Sequence, residues 1–216
     1  NFSKCIIGMD GYISAPTAQF TELLIRNCTE KGIPVSSIST NGLYIDSELL
    51  EKKLLKYLPE DRETDPVLIY GSLYHEGYEG LMDAEKISGL AVKLKEFSES
   101  GRGVLIVYGN GALIDALRSF YHLKLFIDVT QKRTILNIRS GACGNLGTEK
   151  RMPINLMIRR SYYIDLEAAA ELRGRLINDD EVDYYLTGDH LDKIQLIPLS
   201  TLKELFEVMV TYPLRC

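Results

Sequence analysis

CIIGMDGYISAPTAQFTELL, Cys5 to Leu24, decides how this chain is read. The apolar run Cys5-Ile6-Ile7 closes on Gly8, a glycine-flanked loop spans Met9 to Thr17, and a helical pattern begins near Ala18. Strand, tight loop and helix in that order can seat a phosphate on backbone N–H groups and a helix N-terminus. A loop built for this reads G-x-x-x-x-G-K-[ST]. Gly11 opens that frame here, but Pro16 stands at the second glycine, Thr17 at the lysine and Ala18 at the magnesium-binding hydroxyl. Pro16 also lacks an N–H to offer an anion. Ser14 and Thr17 still supply hydroxyls, and the helix dipole still favours negative charge. The plainer alternative is a turn that joins strand to helix and binds nothing.

Working outward, Phe20, Leu23, Leu24 and Cys28 recur at helical spacing and predict a helix over Thr17–Lys31, stopped by Gly32 with Pro34 beyond. Val35–Ser39 reads as a second strand, and Ser47–Leu58 as a helix capped by Ser47. The apolar run PVLIYG, Pro66–Gly71, reads as a third strand candidate. Asp83 caps a helix to about Ser98, VLIVY at Val104–Tyr108 is a buried strand, and Ala112–Phe120 is a short helix. Leu123–Val129 is a strand, Gln131–Arg139 a helix, and Ser140–Pro153 a glycine-rich basic segment. A helix from about Met157 to Asn178, strands at Val182–Leu186 and Lys193–Ile197, and a helix Thr201–Met209 capped by Ser200 complete the chain.

This alternation predicts a three-layer α/β fold, a mostly parallel sheet with helices on both faces. One domain is expected over residues 1–216, with a small lid segment at about 138–160. Ligands of such sheets bind beyond the carboxyl ends of the strands, so the loops after Ile7, Ser39, Tyr108 and Val129 should face one cleft. The net charge of −5 argues against a nucleic-acid partner, and no apolar run approaches the ~20 residues of a membrane helix. Cys5, Cys28, Cys143 and Cys216 show no close pairing, so a reducing, cytoplasmic setting is the default expectation. His75, His122 and His190 have no zinc-ligand spacing. The chain opens on Asn1 rather than Met, which suggests a piece of a longer protein.

Candidate ligand contacts are Gly8, Asp10, Gly11, Ser14 and Thr17 of the first loop, with Arg159 and Arg160 at the end of the basic segment. The arginines present a planar fork to phosphate oxygens, although a solvated basic loop is the commoner meaning of such a run. Asp10 and Asp46 are the carboxylates that would serve as base if a phosphoryl group were transferred. Their plainer roles are holding loop N–H groups and starting a helix. Asp128 is weighed in the same way, as metal helper or turn cap.

The order of parts is similar to nucleoside and uridine kinase-like phosphate-loop proteins: IIGMDGYISA resembles their first loop, STNGLY their S-x-D-D-F-Y segment, and LKLFIDVTQKRTILNIRSG their strand-plus-lid segment. A nearer resemblance is to the kinase-like domain that precedes the zinc-dependent cupin of some bacterial class I mannose-6-phosphate isomerases. Their loop resembles GIDGYPG, and GMDGY, DPVLIYGSLYHEGYEGLMDAEKI, VLIVYGNGALI and TYPLRC follow the same pattern. The resemblance implies a degenerate kinase-like module that binds a nucleotide such as ATP, or a sugar phosphate, or acts as a scaffold for the neighbouring domain of the same chain. Any isomerase chemistry would lie in the cupin. The departures at Pro16, Thr17, Ala18 and Asn41 set this apart from an active small-molecule kinase, which would need Lys150 or Arg160 in place of the lost lysine. A pure interaction module is the third reading, and it calls for an exposed apolar patch near the C-terminal helix.

Overall fold

A computed structural model describes residues 4–212. The strands are β1 (Cys5–Gly11), β2 (Val35–Ser39), β3 (Val104–Tyr108), β4 (Leu123–Asp128), β5 (Tyr184–Thr187) and β6 (Leu196–Pro198). The α-helices are α1 (Thr17–Glu30), α2 (Ser47–Leu54), α3 (Ala84–Ser100), α4 (Asp115–Arg118), α5 (Gln131–Arg139), α6 (Ile154–Arg160), α7 (Leu166–Asn178) and α8 (Leu199–Thr211). A π-turn, Ser161–Asp165, joins α6 to α7. The six strands form one sheet in the order β2-β3-β1-β4-β5-β6. Every pairing is parallel except β5 with β6. The first strand is therefore central, and the carboxyl ends of β1, β2, β3, β4 and β5 lie on one edge, as the alternation of elements implies.

Side chains alternate across the sheet and build a core on each face. Ile6, Leu105, Val107 and Phe126 meet Leu90 and Leu94 of α3, Leu117 of α4 and Leu172 of α7. Met9, Ile106, Leu125 and Ile127 meet Phe20, Leu24 and Ile25 of α1 on the other face. The chain leaves α1 through Gly32, with φ +67°. The Gly32 N–H bonds the Thr29 carbonyl and the Ile33 N–H the Cys28 carbonyl, which closes the orphan carbonyls of the last turn. Asp83 caps α3 by accepting from the Glu85 and Lys86 N–H groups.

Several boundaries differ from the sequence reading. β1 continues through Gly11, so the connecting loop shrinks to Tyr12–Pro16. Pro66–Gly71 forms no strand: Leu68 sits at φ +54°, and the Asp65 carboxylate takes the Tyr70 N–H that a ladder would need. Asp46, rather than Ser47, caps α2, which ends at Leu54. The helix expected over Ala112–Phe120 is confined to α4, because Gly111 at φ +81° and the extended Ile114 hold the chain open before it. The predicted Met157–Asn178 helix starts three residues earlier and contains the π-turn. The strand expected over Val182–Leu186 begins at Tyr184, the edge strand is only β6, and α8 starts at Leu199 behind Pro198 with no side-chain cap from Ser200. Of the C-terminal TYPLRC stretch, residues 213–216, including Cys216, lie outside the described residues.

Gly8 lies within β1, paired with Val107 and Lys124, rather than in a loop. A Cβ there would stand 2.5 Å from the Tyr121 ring. That ring is held in place, because its hydroxyl donates to the Ala112 carbonyl. Gly8→Ala is expected to cost about 1–3 kcal/mol through overpacking, read as a lower urea midpoint with an unchanged slope.

Candidate functional site

At the carboxyl edge of the sheet, the β1–α1 loop folds inward instead of standing open. Tyr12 and Ile13 are buried in the core. The Gly11 N–H donates to Asp10 Oδ1, the Tyr12 N–H to the Ile127 carbonyl, the Ala15 N–H to the Tyr12 carbonyl and the Thr17 N–H to the Ala15 carbonyl. Four donors that would face an anion are therefore committed inside the protein, and Pro16 has none. Ser14 carries the left-handed φ of +68°, held by Asn137 Nδ2, which donates to its Oγ at 3.0 Å. Thr134 Oγ1 donates to the Ile13 carbonyl, and Asn110 Nδ2 to the Gly11 carbonyl. The loop is thereby tied to α5 on one side and to the β3 turn on the other.

Asp10 is fully buried beneath this loop. Its carboxylate accepts from the N–H groups of Gly11, Gly111 and Leu113 at 2.7, 3.1 and 2.8 Å. Burial pushes its pKa up to about 7, against the backbone donors that pull it down. It clamps the end of β1 to the turn after β3. Tyr44 and Tyr78 lie close enough to Asp10 that its charge raises both phenols further, after the larger effect of burial. Asp46 accepts from the Glu48 N–H at the start of α2 and stays at the rim of the neighbouring cleft. Asp128 pairs with Arg173 at 3.1 Å, and it is Thr130 that caps α5. The Arg173 guanidinium also covers the Tyr12 ring at 4.6 Å.

Of the clefts around the loop and the segment between α5 and α6, three bear on the candidate contacts. The first, of about 550 Å³, lies beside Ser14, Pro16 and Gln19 and is bounded by Arg133, His190 and Asp192. The second, of about 590 Å³, has Asn41, Asp46, Asn110 and Asn145 on its walls, with Lys86 and Lys150 set against Asp46 and Glu149. The third, of about 660 Å³, lies between α2 and α6. Arg159 and Arg160 sit at this third cleft, not over the first loop, and are only 6% and 3% exposed. Arg159 donates to the carbonyls of Tyr70 and Pro59, and Arg160 to that of Leu146. The structure therefore brings Asp10, Gly11, Ser14 and Thr17 together, and sets Gly8, Asp46, Arg159 and Arg160 apart from them. Asn110, Thr134, Asn137 and Asn145 carry much of the polar architecture. Of these, only Asn110 had a local sign, its place in the Gly109-Asn110-Gly111 turn.

The residues present do not fit a magnesium–triphosphate group. Thr17 brings no ammonium, Ala18 brings no hydroxyl to the metal-binding position, and the N–H groups of Gly11, Tyr12, Ala15 and Thr17 are bonded within the protein.

The sheet order, with the central first strand feeding a tight loop and α1, defines a phosphate-loop kinase-like α/β fold. Phosphoribulokinase from Rhodobacter spheroides shares it with a TM-score of 0.53 at 13% identity, over 85% of this chain and 70% of that one. A candidate fructose transport system kinase from Silicibacter sp. TM1040 gives 0.52 at 14% identity, over 79% and 85%. The chain belongs to the family described as a domain of unknown function, DUF8485, which matches residues 2–211. No curated protein matches the sequence.

Asp10→Ala would strand three buried N–H groups and is expected to cost at least about 3 kcal/mol, measured by urea denaturation. The folded pKa of Asp10 lies above the ordinary 3.8, so the native state keeps a proton that the unfolded chain has lost. Its contribution to stability is therefore complete below pH 3.8 and is lost as pH rises to about 7. A slope of up to about 1.4 kcal/mol per pH unit is expected in that window, flattened in Asp10→Asn.

Proposed function

We propose that this is a kinase-like module that binds a phosphorylated small molecule, a nucleotide or a sugar phosphate, without transferring phosphate. One observation carries this reading: the N–H groups of Gly11, Tyr12, Ala15 and Thr17 are bonded within the protein, at a loop that has lost its lysine. Losing the lysine and the magnesium ligand together removes several kcal/mol of transition-state stabilisation. The clefts along the sheet edge remain roomy and polar enough for a ligand. Residues 138–160 would serve as the lid over them. The mannose-6-phosphate isomerase resemblance supports a setting in which this single domain regulates or supports a neighbouring zinc cupin in a cytoplasmic enzyme. Isothermal titration with ATP, GTP and mannose 6-phosphate tests the binding, with heat expected from at least one of them. Silence from every ligand would leave a scaffold.

A second reading, an interaction module, has its own observation. α8 leaves Leu205, Phe206, Val208, Met209 and Val210 exposed, the patch that reading calls for.

A magnesium-dependent ATPase assay against a broad panel of sugar and nucleoside acceptors should show no turnover above a buffer control. The triple variant Pro16→Gly, Thr17→Lys, Ala18→Ser should stay inactive, because the collapsed loop still spends its N–H groups internally. Turnover in either protein would sink the non-catalytic assignment.

A further inference from the structure

We infer that the third cleft, between α2 and α6, is the seat of the phosphorylated ligand: a phosphate monoester carried on an apolar body, held away from the β1–α1 loop. This rests on the reading that the module binds a phosphorylated molecule, and it assigns the place and the class of that molecule.

Two adjacent cations, Arg159 and Arg160, are buried at this cleft. An arginine stays charged in a protein, and a charge taken out of water needs an opposite charge or a full set of acceptors. Arg159 has neither. Its Nε and Nη2 donate to the carbonyls of Tyr70 and Pro59. Its Nη1 donates to no group among the described residues, and Arg159 lines the cleft. Asp65 feels the charge of Arg159, but its Oδ2 accepts the Tyr70 N–H and its buried Oδ1 contacts no donor among the described residues. Arg160 is in a similar position: Nη2 donates to the Leu146 carbonyl, while Nε lies 4.0 Å from Asp165 Oδ1 and both Nε and Nη1 lack a hydrogen-bond partner.

Cationic side chains outnumber acidic ones around the cleft. Lys52, Lys150 and Arg151 join the two buried arginines, against Glu48, Glu51 and Glu60. Lys150 pairs with Glu51 at 3.8 Å. Lys52 and Arg151 have no carboxylate within ion-pair distance among the described residues. The remaining wall is apolar, with Leu54, Leu55, Leu58, Met152 and Leu156. A phosphate dianion set toward Arg159 and Arg151 would meet the uncompensated charge, and an apolar body would cover the leucines. The first cleft offers no such excess, since Asp189 and Asp192 accompany Arg133 there.

The test is a 15N NMR titration of the protein with phenyl phosphate, a hexose 6-phosphate and inorganic phosphate. Shift changes are expected at residues 52–58 and 150–156, with phenyl phosphate binding more tightly than inorganic phosphate. The exposed double variant Lys52→Glu, Arg151→Glu should weaken phenyl phosphate at least tenfold while the spectrum stays folded. Arg159→Gln should do the same, and the double variant carries the test if that buried substitution unfolds the chain. Changes centred on Ser14–Gln19, or an affinity untouched by the double variant, would overturn the inference and leave the proposed function standing. Silence from all three phosphates would overturn it as well, with the nucleotide titrations left to decide the parent reading.

Discussion

A single buried carboxylate organises the functional edge of this protein. Asp10 sits one residue before the end of the central strand and gathers three backbone N–H groups, one from the strand's last residue and two from the turn after β3. Hydrogen bonds to an ionisable acceptor inside a low-dielectric interior are strong, and the same interior makes the unpaired alternative costly. The clamp sets where β1 stops, and so where Tyr12 must turn inward. Asn110 and Thr134 then fix the two flanks of the loop. What resembles a ligand loop in outline is, in its hydrogen bonding, part of the core.

That collapse shifts the electrostatics. In a phosphate-loop enzyme the positive charge and the open N–H groups converge beneath the first strand. Here that position holds Tyr12, under Arg173, whose charge is answered by Asp128. The buried cations stand instead at the far side of the basic segment, where Arg159 and Arg160 hold the backbone of Pro59, Tyr70 and Leu146 and, among the described residues, only Arg160 of the two has an ion pair, at 4.0 Å to Asp165. The three clefts thus differ in balance rather than in sign: all carry both charges, but the one between α2 and α6 has more cations than acids and a partly apolar wall.

The sheet and its helices were legible because their signals are local. VLIVY, LKLFID, the Gly32 stop and the Asp83 cap each act within a few residues, and each is found where the pattern put it. The edge strand and α8 were displaced by a few residues because their ends are set by pairing with β5, not by propensity. PVLIYG misled for a related reason: it has strand composition but no neighbour to pair with, and Asp65 captures its backbone. The site was less legible. Asp10, Gly11, Ser14 and Thr17 share a loop, so sequence proximity placed them together. Arg159 and Arg160 read as solvent-facing because a basic run says nothing about the carbonyls of Pro59 and Tyr70, some ninety to a hundred residues away, that bury them.

The π-turn at Ser161–Asp165 has a geometric consequence for those arginines. Five residues of an α-helix advance about 500°, so positions 160 and 165 would point roughly 140° apart. The wider turn, marked by the Leu166 N–H donating to the Ser161 carbonyl, returns the chain to nearly the same azimuth after five residues. Arg160 and Asp165 therefore share one side of the rod, and the acid faces the base across the interior. The extra residue works as a spacer that phases two charges; a single deletion there would turn α7 by roughly a quarter of a circle and leave each charge buried alone.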